Sequence, residues 1–195
     1  LVWYFGASDT RTTSYGLDFT GNGASQRNFE SVLDYYESVT VVSDNAGTVL
    51  FYSDGIEVFD GSHTKMSGSP ATLNGTADGP SGSSVQGAFS MLRPGSTDEY
   101  YLFTSQAIDG LPSGLRVNRI DMSLPGNGNA GAPLGEMVTS DSLLQGTGCE
   151  MMTAYGVCGS DTVWIITHLP NSWNFVRVLV TSGGIQSVNT QNLPT

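Results

Sequence analysis

Positive charge is scarce in this chain of 195 residues. Lysine and arginine together number 7 against 18 aspartates and glutamates, Lys65 is the only lysine, and the formal net charge is −11. Such a chain repels phosphate backbones and anionic membranes, so nucleic-acid binding is excluded as a function. No apolar run reaches the roughly 18 residues that a membrane-spanning helix needs. We therefore expect neither a nucleic-acid partner nor insertion in a membrane.

Groups that commonly catalyse hydrolysis are also few. His63 and His168 are the only histidines, and a hydrolytic triad needs a nucleophile, a histidine base and a carboxylate. Ser172 and Asp161 lie near His168 in sequence, but no serine stands in a Gly-x-Ser-x-Gly motif. His168 at a strand end is therefore interpreted as structural, and the chain is predicted not to be an enzyme.

Helix signals are nearly absent, and only the segment 29–36 shows a weak helical pattern. What the chain does contain is 25 glycines and short apolar runs separated by Ser, Thr and Asn, the pattern of short strands joined by turns. Three antiparallel meanders are predicted, at about 38–66, 86–122 and 150–181. In the second of these, a bulge near Asn118 would bring Leu115 and Ile120 onto one face.

A repeat of three-stranded units every 50 residues or so is typical of propeller blades. The fold class predicted is all-β, with residues 1–195 forming one domain that is a partial β-propeller of about three blades. Because a propeller usually closes with four to eight blades, we expect missing sequence or another chain to complete the ring. The run Leu1–Phe5 and the edge after 174–181 are the expected contact points, and 183–195 is predicted to be a connector.

A series of short motifs runs along the chain in a characteristic order. It begins with Trp3-Tyr4-Phe5-Gly6, Gly16-Leu17-Asp18-Phe19, Ser43-Asp44-Asn45-Ala46-Gly47 and Leu50-Phe51-Tyr52-Ser53-Asp54-Gly55. It continues with His63, Met66, Ser84-Val85-Gln86-Gly87, Pro94-Gly95, Tyr100-Tyr101-Leu102-Phe103-Thr104, Gly114-Leu115, Ile120-Asp121-Met122 and Trp164-Ile165-Ile166-Thr167-His168. In these motifs the chain resembles the N-terminal propeller-like module of large secreted surface proteins of the Bacteroidota, which are exported by type IX secretion and are often described as gliding-motility-associated or adhesin-like. The resemblance implies an extracellular, cell-surface location.

The two cysteines, Cys149 and Cys158, flank a short predicted strand. Their spacing fits neither a CxxC redox motif nor a four-ligand zinc site. In an exported protein such a pair forms a disulfide, which is predicted here; free thiols remain the alternative.

Four further sites were considered for ligands or modification. Trp173 lies in a predicted loop and could stack on a sugar, and His63 either braces a turn or contacts a ligand. Ser142, in Asp141-Ser142-Leu143, matches the Asp-Ser/Thr-apolar pattern for O-glycosylation that the family resemblance implies. Loop carboxylates leave room for an irregular Ca²⁺ site, although no EF-hand loop is present; no other cofactor is expected.

The function predicted from these observations is a non-catalytic extracellular module for adhesion or for a structural role in a surface assembly. Its partners would be other protein chains, or missing parts of the same protein. A glycan-binding domain is the alternative, with surface glycans as ligands. A polysaccharide-active enzyme is the weaker third possibility, since some propellers are enzymes.

Overall fold

The computed structural model describes residues 2–5, 15–19, 21, 23–28, 32–33, 38–73, 84, 86–105, 114–147 and 150–192. Within these ranges all the regular elements are β-strands, which form four antiparallel sheets. The prediction of an all-β chain built from antiparallel meanders is therefore confirmed. The weak helical pattern at 29–36 falls mostly outside the described ranges.

Each sheet is a meander of consecutive strands in chain order. The first sheet contains β1 (Val2–Phe5), β2 (Tyr15–Asp18) and β3 (Ser25–Asn28). The second contains β4 (Thr40–Ser43), β5 (Val49–Ser53) and β6 (Val58–Asp60). The third contains β7 (Ala88–Leu92), β8 (Glu99–Ser105), β9 (Leu115–Asp121) and β10 (Glu136–Gln145). The fourth contains β11 (Met152–Gly156), β12 (Val163–His168), β13 (Asn174–Thr181) and β14 (Gly184–Asn192).

The second, third and fourth sheets lie where the three meanders were expected, but three strand assignments need correction. The first sheet was missed altogether. The third sheet has an additional strand, β10. The segment predicted as a connector instead contains β14, which pairs with β13 along its whole length.

The N-terminal run was expected to pair with a strand of another chain. In the structure, β1 pairs with β2 of the same chain, with Val2 opposite Asp18 and Phe5 opposite Tyr15. The strand order β1-β2-β3 makes β1 an edge strand, so β2 uses only one of its two edges. Pairing of the other edge with a strand of another chain therefore stays a prediction.

The bulge that was predicted near Asn118 of β9 lies in β10, the strand that pairs with β9 on one side. The pairing of β9 with β8 is regular, whereas β10 has an extra residue between the pairs Thr139–Arg119 and Ser142–Val117. The buried Asn118 side chain secures this irregularity: its Oδ1 accepts a hydrogen bond from the Asp141 N–H at 2.8 Å, and its Nδ2 donates to the Leu102 carbonyl at 3.0 Å. β9 therefore keeps a strict alternation, with Leu115 and Ile120 on opposite faces of the sheet.

The four sheets stack face to face in chain order, because both faces of the inner sheets are apolar. We call the face of a sheet that points toward the next sheet along the chain its front face, and the opposite one its back face. Three hydrophobic clusters fill the spaces between the sheets. Between the first and second sheets lie Val2, Tyr4, Tyr52 and Phe59; between the second and third, Phe51, Val58, Leu102 and Ile120; between the third and fourth, Phe103, Val117, Ile165 and Val178.

The first strands of neighbouring sheets also lie near one another. β1 contacts β4, and β4 contacts β7. Two residues before β7, the Gln86 N–H donates to the carbonyl of Glu150, which stands two residues before β11, at 3.2 Å. The sheets are thus arranged with their first strands together, on one side of the stack.

Candidate functional site

The front face of the fourth sheet is apolar, and no described sheet covers it. Alternation along β12 and β13 places Trp164, Ile166, Phe175 and Leu179 on this face. None of these side chains belongs to the three hydrophobic clusters that the described residues form. Arg177 lies among them with its guanidinium 5.7 Å from the centre of the Trp164 ring, a cation–π contact.

A pocket with a volume of about 390 Å³ opens on this front face. Its lining comes from the start of β11, the end of β12 and the start of β13, together with Gln86, and consists of Gln86, Met151, Met152, Thr153, Ile166, Thr167, His168 and Phe175. The His168 and Phe175 rings pack edge to face with centroids 5.1 Å apart. His168, which the sequence suggested was structural, therefore supports one wall of an apolar pocket.

Trp173 lies in the turn that joins β12 to β13, at the same end of the hairpin as His168 and Phe175. Its side chain is 70% exposed. The turn is held by Ser172, whose Oγ donates to the Leu169 carbonyl at 3.2 Å and accepts from the Asn174 N–H at 3.1 Å. The structure thus places this predicted ligand residue on a hydrogen-bonded turn, with its indole accessible.

The back face of the first sheet is the second open face among the described sheets. Trp3 points to this side and is 49% exposed, while its neighbours Val2 and Tyr4 are buried against the second sheet. Leu17 is opposite Trp3 in β2, and the Phe19 ring packs edge to face on the Trp3 indole with centroids 5.1 Å apart. Trp3, Leu17 and Phe19 thus form an apolar patch on this open face.

His63 lies in the loop after β6, on the side of the first sheet that packs against the second sheet. Its Nδ1 lies 3.0 Å from the hydroxyl of the buried Tyr52, and its ring contacts those of Tyr4 and Tyr52. Its φ angle of 64° is in the left-handed region that non-glycine residues rarely adopt. These contacts are those of a residue that braces a turn against the cluster between the first and second sheets; a ligand contact at His63 remains a prediction.

Ser142 and the cysteines stand apart from the pocket. Ser142 is half-buried within β10, opposite Val117, so glycosylation there would have to occur on a strand and not in a loop. Cys158 is exposed and its thiol is free in the structure. Cys149 lies outside the described residues, so the disulfide between them stays a prediction.

Two further features were searched for among the described residues, a cluster of metal-ligating side chains and a long apolar helix. No group of three or more His, Cys, Asp or Glu side chains is placed to hold a metal ion within those ranges. Within the same ranges, no helix is long and apolar enough to cross a membrane. An irregular Ca²⁺ site is still untested.

Asp54 is a buried carboxylic acid in the turn after β5, with only 3% of its surface exposed. Its Oδ1 accepts hydrogen bonds from the Ile56 N–H at 2.9 Å and the Glu57 N–H at 2.8 Å. Burial raises the pKa of Asp54 from 3.8 to about 6, and outweighs the opposite effect of these N–H groups. The folded chain therefore favours the protonated form of Asp54.

This raised pKa predicts a pH-dependent loss of stability. Because the pKa is higher in the folded chain, the stabilising contribution is complete below pH 3.8 and is lost as the pH rises through about 6. A difference of about two pKa units corresponds to about 3 kcal/mol. The variant Asp54→Asn keeps the acceptor oxygen but cannot ionise. Relative to the wild type, it should gain up to about 3 kcal/mol in free energy of unfolding between about pH 4 and about pH 7, measured with urea.

Asp44→Asn is the matched control, because the Asp44 Oδ1 also accepts two backbone N–H bonds, from Ala46 and Thr48. Asp44 is exposed, and the hydrogen bond from the Thr48 N–H holds its pKa below the ordinary value of 3.8. The contribution of Asp44 is therefore lost only below about pH 4. Between about pH 4 and about pH 7 the Asp44→Asn profile should run parallel to that of the wild type, whereas the Asp54→Asn profile diverges from it. An Asp54→Asn profile that also runs parallel to the wild type would contradict the assignment.

Comparison with models of protein families, with curated proteins and with solved structures found no match to this chain. The resemblance to surface proteins of the Bacteroidota therefore stays a prediction.

Proposed function

We propose that this chain is a non-catalytic extracellular module, part of a β-propeller, that holds other macromolecules at a cell surface through exposed apolar side chains. The observation that carries the proposal is the cluster of such side chains around the front face of the fourth sheet. Met151, Tyr155 and Trp173 are 60%, 63% and 70% exposed, and Met151 also lines the pocket. Exposed apolar side chains that are grouped around one face are typical of contact sites for macromolecules.

The propeller arrangement is supported by the order and contacts of the sheets. In a propeller, four-stranded meanders surround a central channel, and each packs on its neighbours. The third and fourth sheets have four strands, and all four sheets stack front to back in chain order. The mutual approach of the first strands is the contact expected where strands line a channel.

Glycan binding is the second candidate, and one observation favours it. Trp173 presents its indole on a turn that hydrogen bonds hold in place. Aromatic rings that are fixed and accessible lose little conformational entropy when a ligand stacks on them. A sugar ring could therefore bind at Trp173 without involving the front face.

Retention of protein-coated beads separates the two candidates. Beads carrying the chain are washed over polystyrene, and over surfaces coated with cellulose, chitin or alginate. If the front face mediates adhesion, the double variant Met151→Ser/Tyr155→Ser should reduce retention several-fold on the surfaces that hold the wild type. Leu143→Ser, which removes an exposed apolar side chain from the third sheet, should change retention little.

Three other outcomes of these experiments would change the proposed function. Loss of retention only on polysaccharide, and only with Trp173→Ala, would favour the glycan-binding function over adhesion through the front face. Release of reducing sugars from any of these polysaccharides by the soluble chain would overturn the non-catalytic assignment. Unchanged retention in both variants would reject both surfaces as binding sites.

A further inference from the structure

The two ends of the described stack leave one front face and one back face uncovered. The fourth sheet leaves its front face uncovered among the described residues, and the first sheet leaves its back face uncovered. Every contact between successive sheets in the described chain joins a front face to a back face. A back face is therefore the kind of surface that continues the stack beyond the fourth sheet.

We infer that the pocket on the front face of the fourth sheet receives the Trp3 side chain of a second copy of this chain. This inference rests on the proposed propeller arrangement and names a partner for the same surface. The stack then continues from the fourth sheet of one copy to the first sheet of the other. Two copies joined in this way at both ends contribute eight sheets, within the four to eight blades that propellers usually have.

The size and chemistry of the pocket suit an indole. Apolar cavities of about 150 Å³ hold a benzene molecule, and this pocket has about 390 Å³, with Met151, Ile166 and Phe175 in its lining. Trp3 is the large exposed side chain on the back face of the first sheet, and Leu17 and Phe19 flank it. Inserting the indole would bury apolar surface on both partners at once.

The intrachain contacts show what fills the equivalent space elsewhere in the stack. β7 presents Ala88 on its back face, as β1 presents Trp3. Ala88 lies in the cluster between the second and third sheets, and a Cβ atom at Gly55, just beyond β5, would lie 3.6 Å from the Ala88 Cβ. A back-face residue of a first strand thus packs beside the end of the second strand of the preceding sheet. The pocket lies at the corresponding place, beside the end of β12.

Such an interface is directional, because the two surfaces that meet are different. It closes on itself when each of two copies supplies one front face and one back face. Each copy also carries a net charge of −11, so the copies repel one another over distances comparable with the Debye length. Apolar contact has to overcome this repulsion, and association should therefore tighten as salt is added.

Sedimentation velocity of the purified chain tests the inference over concentrations from about 1 µM to about 300 µM, a range that covers modest affinities. We expect a monomer–dimer equilibrium that shifts toward dimer between about 50 mM and about 500 mM salt. Trp3→Ala should weaken the dimer at least about 30-fold, as truncation of a central tryptophan does in other interfaces. Leu143→Ala, at an exposed position in the third sheet, should leave it unchanged.

A mixing experiment distinguishes this interface from a symmetric one. Thr153 is exposed and lines the pocket, so Thr153→Arg should block it without disturbing the core. Trp3→Ala and Thr153→Arg should each be monomeric alone, yet form a heterodimer when mixed, because one intact pocket and one intact Trp3 remain. A symmetric dimer that joins the front faces of two fourth sheets would be broken by Thr153→Arg but would not be affected by Trp3→Ala. Circular dichroism of each variant checks that it is folded.

A chain that stays monomeric over the whole range overturns the inference. The same holds for a dimer that Trp3→Ala leaves intact. If the monomer still holds beads on surfaces through Met151 and Tyr155, the proposed function stands and only the second copy is rejected. If retention is lost as well, the front face is not a contact surface of any kind.

Discussion

Replacing Phe103 with alanine should lower the free energy of unfolding by about 3–5 kcal/mol. Phe103 has no exposed surface and lies in β8 between the third and fourth sheets, where it shares a cluster with Leu115, Ile165 and Val178. The Tyr101 ring lies beside it in the same strand, with centroids 6.0 Å apart. Because the backbone of β8 is fixed in the sheet, Tyr101 does not move into the space that the Phe103 ring would leave. The loss therefore combines the transfer free energy of the ring with the cost of a cavity.

Denaturation with urea measures this effect. The midpoint should fall while the slope of the transition stays the same, because the surface exposed on unfolding hardly changes. Leu143→Ala serves as the control, since Leu143 is exposed and its truncation should cost less than about 0.5 kcal/mol. A loss below about 1 kcal/mol for Phe103→Ala would mean that the third and fourth sheets do not pack on each other as described.

Asp60→Ala should produce the second large loss of stability, roughly 3–4 kcal/mol, because four hydrogen bonds to one buried carboxylate are lost together. Asp60 is fully buried. Its Oδ1 accepts from the Ser62 N–H at 2.8 Å, the Ser62 hydroxyl at 2.7 Å and the Thr64 N–H at 3.2 Å. Its Oδ2 accepts from Asn127 Nδ2 at 2.8 Å, and this bond ties the second sheet to the segment between β9 and β10.

Two variants show whether the loss comes from these bonds. Asp60→Asn should also be destabilised, since its amide NH₂ would either face Asn127 Nδ2, donor against donor, or replace the oxygen that serves Ser62 and Thr64. Asp44→Ala removes an acceptor from a similar turn that is exposed to water, so it should lose clearly less. Equal losses at Asp44 and Asp60, measured by urea unfolding, would indicate that burial of the Asp60 bonds adds nothing.

Local turn chemistry was predictable, but the length of the turns was not. Asp54-Gly55 is a dipeptide typical of two-residue hairpin turns, and Gly55 does have a positive φ angle of 86°. The next strand begins only at Val58. The reason is that the Asp54 side chain accepts the N–H groups of Ile56 and Glu57, which are then not available to a strand pairing.

Two of the strands that were missed have a weak apolar pattern. β3 reads Ser-Gln-Arg-Asn and β14 reads Gly-Ile-Gln-Ser-Val-Asn-Thr-Gln-Asn. Both are strands at the edge of their sheets, and both form because a neighbour offers backbone hydrogen bonds. No alternation along their own residues marks them, since an edge strand can leave much of its surface to solvent.

The candidate site was found from sequence only in part. Trp173 was singled out because a tryptophan in a polar loop is unusual, and the structure does expose it. The pocket was not foreseen, because Gln86, Thr153, Ile166 and Phe175 come from four separate segments. Trp3 stands in an apolar run at the start of the chain, and only the tertiary structure buries its neighbours Val2 and Tyr4 while leaving Trp3 exposed.

The sequence by itself determined the class of the fold and the sign of the surface charge. Turn residues and period-two runs are local signals, read within a few residues, and the excess of acidic residues depends on composition alone. The tertiary structure decided which face of each strand is covered. Phe103 and Ile166 are both apolar residues of a second strand, yet one is sealed in a cluster and the other lines an open pocket. The difference is whether another sheet packs on that face, and burial of this kind depends on residues far apart in the chain.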